Sequence, residues 1–315
     1  MTPAVLAVDA GQTEVRAALT ADGRAARVST APGVLRMGPS VGADAVAAGL
    51  LAAVEGLRPL PDPPPPAGVG LSGFEAAGED ELRRVVELLR RELAVERVAI
   101  ASDGLTSLLG ALGDRDGAVV AAGTGTVGVA RRGARLVKVD GWGSLLGDAG
   151  SGFAIGRAGI DAALRHADGR GGSQALLATA ERRYGPPPGL SERIYADPVP
   201  TRAVAAFAAD VAAEAEGGDA TSLAILEDAA AELALTACAG LARLFEPREP
   251  AAVSYAGNVF RAGRLLTEPF ARAVEQRRPG TEVAPPAADA LAGAALLARL
   301  DGELEPEPGI LWTAR

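Results

Sequence analysis

The chain has 315 residues, 48% of them hydrophobic and 23% charged, and a formal net charge of −9 at pH 7. This is an ordinary globular composition, long enough to favour two domains over one, and the acidic balance excludes binding to nucleic acid through basic excess. The single cysteine, Cys238, rules out an internal disulfide and fits a reducing cytoplasm.

The N-terminal run from residue 4 to residue 8 predicts a buried strand, broken at Asp9. A secretory leader would place charge before its apolar stretch, so none is expected. After Asp9-Ala10-Gly11-Gln12-Thr13 come a second strand, a turn at Asp22-Gly23 and a third strand. Residues 43–57 have helical periodicity and end before a proline-rich connector at 59–66. A short strand is expected at 68–72 and an amphipathic helix at 79–93, with Leu82, Val85, Val86, Leu89 and Leu93 on one face. A strand at 97–102 leads through Asp103 into a helix at 104–112.

From Ala118 the opening pattern returns: strand, Gly123-Thr124-Gly125-Thr126, strand, an Arg131-Arg132-Gly133 turn, strand. Further helices are predicted at 151–167, 173–184, 202–215, 220–245, 264–278 and 288–300, and strands at 252–256 and 281–284. The longest apolar stretch, 229–245, contains Glu232 and Arg243 and should not span a membrane. Strands and helices alternate in both halves, which makes each α/β. The expected boundary lies near residue 115. It gives domains 1–115 and 116–315, with the last residues as a candidate to pack back on the N-terminal lobe.

The two echoed loops offer small residues, backbone N–H groups and threonine hydroxyls, as a polyphosphate requires, and suggest two lobes closing on one nucleotide. Gly123-Thr124-Gly125-Thr126-Val127-Gly128 also matches a dinucleotide pattern, but a strand follows where that motif needs a helix. No Walker A loop occurs. Asp9 is either a turn-forming residue or a ligand for hydrated Mg²⁺; the second copy turns without a carboxylate, which favours the metal role. Asp103, at the end of a strand and the start of a helix, is either a helix N-cap or an acceptor for a substrate hydroxyl proton.

The segment 141–152 holds five glycines around Trp142 and Asp148. It is either a tight corner or a loop that approaches a ligand, with Asp148 accepting hydroxyl hydrogen bonds and Trp142 giving an apolar wall. His166 is the only histidine and lies on a polar helix face, so acid–base work falls to Asp and Glu.

Taken together, these motifs resemble the BadF/BadG/BcrA/BcrD ATPase family, and within it the N-acetylglucosamine kinases. Asp9-Ala10-Gly11-Gln12-Thr13 resembles the first phosphate loop, Ser102-Asp103-Gly104 the segment with the catalytic base, and 122–128 the second phosphate loop. The run 141–152 resembles the signature Gly-Gly-Trp-Gly…Gly-Asp-Glu-Gly-Ser-Gly, 256–263 the adenosine-site turn, and 288–294 the closing helix. Three departures stand out. Met37 or Gly38 falls where family sugar kinases carry an Asn before Ser40-Val41-Gly42, Ala149 replaces the Glu of the signature, and the first loop is Asp-Ala-Gly-Gln-Thr.

The resemblance implies a two-lobed actin-like ATPase fold (a duplicated ribonuclease H-like α/β fold) with a nucleotide cleft between the lobes. It implies an ATP- and Mg²⁺-dependent cytoplasmic kinase acting on N-acetylglucosamine or glucosamine at O6. Asp103 would be the base, and Gly11, Gln12, Thr13, Gly123, Thr124, Gly125, Gly257 and Asn258 would bind ATP. Ser40, Thr124, Gly125, Gly141, Trp142 and Asp148 would bind the sugar, with Asp9 at the metal. Small-molecule substrates and a homodimer are expected, with no nucleic-acid or membrane partner. The alternatives are a sugar-sensing homologue without turnover and an activator of a dehydratase. The latter would bridge an iron–sulfur cluster with cysteines, which a single cysteine inside a helix opposes.

Overall fold

The computed structural model describes residues 3–11, 14–21, 24–33, 42–74, 77–300 and 302–312. The chain opens with β1 (Val5–Ala10), β2 (Glu14–Ala21), β3 (Arg24–Pro32), α1 (Ala43–Glu55), β4 (Ala67–Leu71), α2 (Glu79–Leu93), β5 (Val98–Ser102) and α3 (Asp103–Leu112). Next come β6 (Gly117–Ala122), β7 (Thr126–Arg132), β8 (Arg135–Asp140), α4 (Gly152–Ala167), α5 (Gln174–Tyr184) and α6 (Leu190–Tyr195). The remainder is α7 (Pro200–Ala206), α8 (Ala208–Glu216), α9 (Ala220–Leu244), β9 (Ala252–Ala256), α10 (Arg264–Arg277), β10 (Glu282–Val283), α11 (Ala290–Leu297) and β11 (Leu311–Trp312).

Two compact units result. One comprises Met1–Val119, Val129–Lys138 and Ala284–Arg315, the other Val120–Gly128 and Val139–Val283. The division falls inside β6, β7 and β8, and residues 284–312 belong with the first unit.

The first unit carries a six-stranded sheet in the order β11-β5-β4-β1-β2-β3. β1 runs parallel to β4 and β4 to β5, while β2 and β11 are antiparallel to their neighbours. Side chains alternate across a strand, so β1 serves two cores. Leu6, Val8 and Ala10 join Val46, Leu50, Val85 and Leu89 from α1 and α2 on one face. Val5 and Ala7 meet Leu291, Ala294 and Ala298 of α11 on the other. A strand buried on both faces reads as the continuous apolar run seen in its sequence.

On that second face α3, α11 and β4 touch backbone to backbone. A Cβ at Gly293 would lie 1.8 Å from the Thr106 carbonyl oxygen, one at Gly110 2.1 Å from that of Asp289, and one at Gly68 2.0 Å from that of Ala294.

The second sheet runs β10-β9-β6-β7-β8. Around it α4 packs on α5, α7, α8 and α9, and α10 packs on α9. The helix expected at 202–215 is two helices. Phe207 separates α7 from α8, its N–H donating three residues back to Val204 at 3.0 Å, and its ring is fully buried 5.8 Å from that of Tyr184. Periodicity alone cannot register that tightened turn. Among the described residues no helix is long and apolar enough to cross a membrane.

Asp219 ties two helix starts together. Its Oδ2 accepts the Ser222 N–H at 2.8 Å to cap α9, and its Oδ1 accepts the hydroxyl of Ser173, the cap of α5, at 2.8 Å. Burial tends to raise its pKa, but the hydrogen bonds from Ser222 and Ser173 outweigh it and hold the carboxyl below the usual range. A depressed folded pKa stabilises above the unfolded value, and that contribution is lost as pH falls through the folded one. Asp219→Ala should therefore lower stability by about 1–2 kcal/mol at pH 7, and the gap from the parent should narrow toward about pH 3. Thermal melts across pH check this; a gap independent of pH would refute the electrostatic part.

Candidate active site

The first unit places two carboxylates at the carboxyl ends of parallel strands. β4 lies between them, with Asp9 in register with Gly70 and Gly70 with Ala101, two residues before Asp103. Two strand spacings put their backbones about 10 Å apart. The turn after Asp9 is closed by the backbone, Gly11 N–H donating to the Glu14 carbonyl at 3.0 Å.

The Asp9 carboxylate is instead bound by an arginine that sequence reading missed. Arg16 Nη2 lies 2.6 Å from Asp9 Oδ2, and its Nη1 lies 2.7 Å from Oδ2 of Asp289, the N-cap of α11. The two residues face each other directly across the β1–β2 pair, so the spacing across the hairpin was the available signal. Burial holds the Asp9 pKa above the ordinary carboxylate value, and the Arg16 hydrogen bond and charge offset only part of that rise.

Asp103 is the first residue of α3, and the helix cap is not its task. Ser102 caps the helix, its Oγ accepting the Leu105 N–H at 3.3 Å. Ser102 N–H donates to the Ile310 carbonyl at 2.7 Å, and the Thr106 hydroxyl donates to the Asp103 carbonyl at 3.1 Å. Three elements thus fix the backbone that presents the half-buried Asp103 carboxylate.

The second unit brings together three sequence motifs. Gly123 N–H donates to the Gly125 carbonyl at 2.8 Å, which closes the Gly/Thr loop. The start of α4 docks on that loop, Gly152 N–H donating to Gly123 at 2.8 Å and Phe153 N–H to Thr124 at 3.1 Å. Gly257, at φ 95°, packs against the end of β6 so closely that a Cβ would lie 2.2 Å from the Ala122 carbonyl oxygen, and Asn258 follows it in a short 3-10 turn. The Thr126 hydroxyl is buried with no hydrogen-bond partner among the described residues, an arrangement that costs about 1–3 kcal/mol. Thr126 was absent from the predicted site, although the repeated Gly-Thr pairs pointed to it.

Asp148 joins the signature segment to this loop. It is 8% exposed, its Oδ1 accepts the Gly143 N–H at 3.2 Å, and a Cβ on Gly125 would lie 2.5 Å from its Oδ2. Gly141 and Gly143 take φ values of 76° and 86° that favour glycine. The segment is therefore a hydrogen-bonded corner, and one that brings a carboxylate onto the Gly/Thr loop. Trp142, Leu145 and Leu146 are exposed on it. Gln12, Thr13, Met37, Gly38 and Ser40 lie outside the described residues. His166 is exposed near the end of α4. Cys238 lies within α9, where burial pushes its thiol pKa up.

The model of the BadF/BadG/BcrA/BcrD ATPase family matches residues 6–298, nearly the whole chain. The chain belongs to that family. The N-acetylmuramic acid/N-acetylglucosamine kinase of Clostridium acetobutylicum is 28% identical over 238 residues, which span 72% of this chain and 76% of that protein. A solved structure from Chromobacterium violaceum, named as a candidate N-acetylglucosamine kinase, is 25% identical with a TM-score of 0.73, covering 94% of this chain and 98% of its own. A ROK family glucokinase from Streptomyces griseus, solved with glucose and AMPPNP, aligns with a TM-score of 0.62 at 18% identity over 95% of this chain and 99% of its own. The fold is the α/β actin-like ATPase fold of these sugar kinases.

The resemblance implies Mg²⁺ carried on the nucleotide, and the residues present would suit such an ion. Among the described residues no group of three or more His, Cys, Asp or Glu could cage a metal. Asp9 gives one oxygen to Arg16 and leaves Oδ1 outside that pair. One carboxylate beside phosphates and waters is enough for Mg²⁺.

Proposed function

We propose that the chain is an ATP-dependent, cytoplasmic kinase of amino sugars, transferring the γ-phosphoryl group to a hydroxyl, O6, of N-acetylglucosamine or glucosamine. The similarity to the clostridial and Chromobacterium proteins supports the substrate class. The observation that carries the reading is the contact of Asp148 with Gly125, a carboxylate suited to sugar hydroxyls set against a loop suited to phosphate.

In this reading Asp103 accepts the proton of the attacking hydroxyl. Gln12, Thr13, Thr124 and Gly125 hold phosphates through backbone N–H groups and hydroxyls, Gly11 and Gly123 shape those loops by closing them on Glu14 and Gly125, and Gly257 and Asn258 take the adenosine end. Asp148 orients the sugar by accepting from ring hydroxyls, with Ser40, Gly141 and Trp142 around it. Mg²⁺, near Asp9, neutralises phosphate charge. Phosphoryl transfer has a loose transition state, so positioning and charge neutralisation supply most of the acceleration.

The test is ATP consumption, with product identification, over a panel of N-acetylglucosamine, glucosamine, N-acetylmuramic acid, N-acetylmannosamine and glucose. Sugar-dependent turnover yielding a 6-phosphate is expected. Nucleotide binding without turnover on any sugar would favour the sensing homologue. Asp148→Ala should raise the sugar KM about ten- to a hundredfold while ATP affinity holds, since each charge-assisted hydrogen bond contributes about 1.5–3 kcal/mol. Loss of thermal stability with both substrates weakened together would instead make Asp148 a corner residue only.

A further inference from the structure

Asp140 and Asp148 are both non-glycine residues with left-handed backbone, at φ 61° and 59°. Such positions are uncommon for side-chain-bearing residues and persist where the surroundings fix them. Asp140 ends β8 and directly precedes Gly141-Trp142-Gly143. A side-chain-bearing residue thus holds a φ that glycine adopts freely.

The Asp140 carboxylate has a defined partner. Asp140 Oδ1 accepts the backbone N–H of Asp148 at 2.9 Å, across eight residues. The fit around it is close, since a Cβ on Gly147 would lie 2.5 Å from Asp140 Oδ1 and 2.9 Å from the Trp142 Cβ. Asp148 in turn accepts the Gly143 N–H through Oδ1 and sets Oδ2 against Gly125. The segment is thus closed from both ends. Asp140 fixes the backbone of Asp148, and Asp148 fixes the backbone that follows Trp142.

We propose that Asp140 is a positioning residue for Asp148, holding its carboxylate against the Gly/Thr loop in the orientation that receives the sugar. The inference rests on the reading of Asp148 as the sugar-binding carboxylate. Asp140→Gly removes the hydrogen bond and also relieves the left-handed backbone, so the fold is not endangered. It should raise the sugar KM about tenfold, with kcat and ATP KM within about twofold of the parent and melting temperature equal or higher. Asp140→Asn keeps an Oδ1 acceptor and tolerates that φ, and it should restore the sugar KM to within about threefold.

A sugar KM unchanged in Asp140→Gly, or no rescue by Asn, would overturn the proposal. So would a fall in melting temperature with both KM values raised, since a purely structural residue behaves that way. Asp148→Ala, measured alongside, separates the two layers. If it leaves the sugar KM unchanged, the sugar-site reading itself fails. If it raises the sugar KM while Asp140→Gly does not, only the positioning role of Asp140 is lost.

Discussion

Replacing Asp103 with asparagine is expected to lower kcat by about 10²–10⁴, the usual effect of removing a general base, while ATP affinity stays near that of the parent. Three features of the first unit argue for an effect on chemistry rather than folding. Ser102, not Asp103, caps α3, so the amide substitution leaves the helix start intact. The Asp103 backbone is held by Thr106 through its carbonyl, a contact the substitution does not touch. Asparagine matches aspartate in size but cannot take a proton. Steady-state kinetics with nucleotide titration check this, and a variant keeping more than half its turnover would remove Asp103 from the mechanism.

The second large effect should come from a glycine with no side chain to offer the chemistry. Gly293→Ala would gain about 1 kcal/mol of helix propensity in isolation. In α11, however, the new methyl would lie 1.8 Å from the Thr106 carbonyl oxygen and 2.6 Å from the Gly110 nitrogen, both backbone atoms of α3. Overpacking costs about 1–3 kcal/mol, more where the obstacle is backbone that cannot rotate away. The clash should therefore win by about 2 kcal/mol or more, lowering the melting temperature by about 4–8 °C. Thr106 also braces Asp103, so kcat should fall with stability. A melting temperature within about 1 °C of the parent would show that α3 and α11 do not meet at Gly293.

The local parts of this fold were legible because short-range physics decides them. The stripe Leu82–Val85–Val86–Leu89–Leu93 predicts a helix at 79–93, and α2 occupies Glu79–Leu93. The strand expected at 252–256 is β9. The repeated strand–loop–strand pattern recurs as β1–β2–β3 and β6–β7–β8. What escaped was set by partners distant in sequence. The Arg16–Asp289 pair joins residues 273 apart, β11 is two residues long and is defined by its pairing with β5, and Asp140 matters only because the chain returns to it at Asp148. The proposed site residues stand out as motifs, while the groups packed around them do not, because a hydrogen bond across a folded loop leaves no periodicity to read.

The return of residues 284–312 to the first unit bears on how the molecule is made. β5 gains its outer neighbour only when β11 arrives, and Ser102, beside Asp103, donates to Ile310 of that same segment. The glycine-lined face of α3 is likewise covered only by α11. A chain emerging from the ribosome thus exposes an unpaired strand edge and a bare helix face through synthesis of the whole second unit. Most of the second unit, residues 139–283, is translated in that interval. The proposed base is therefore translated well before the segment that completes its surroundings.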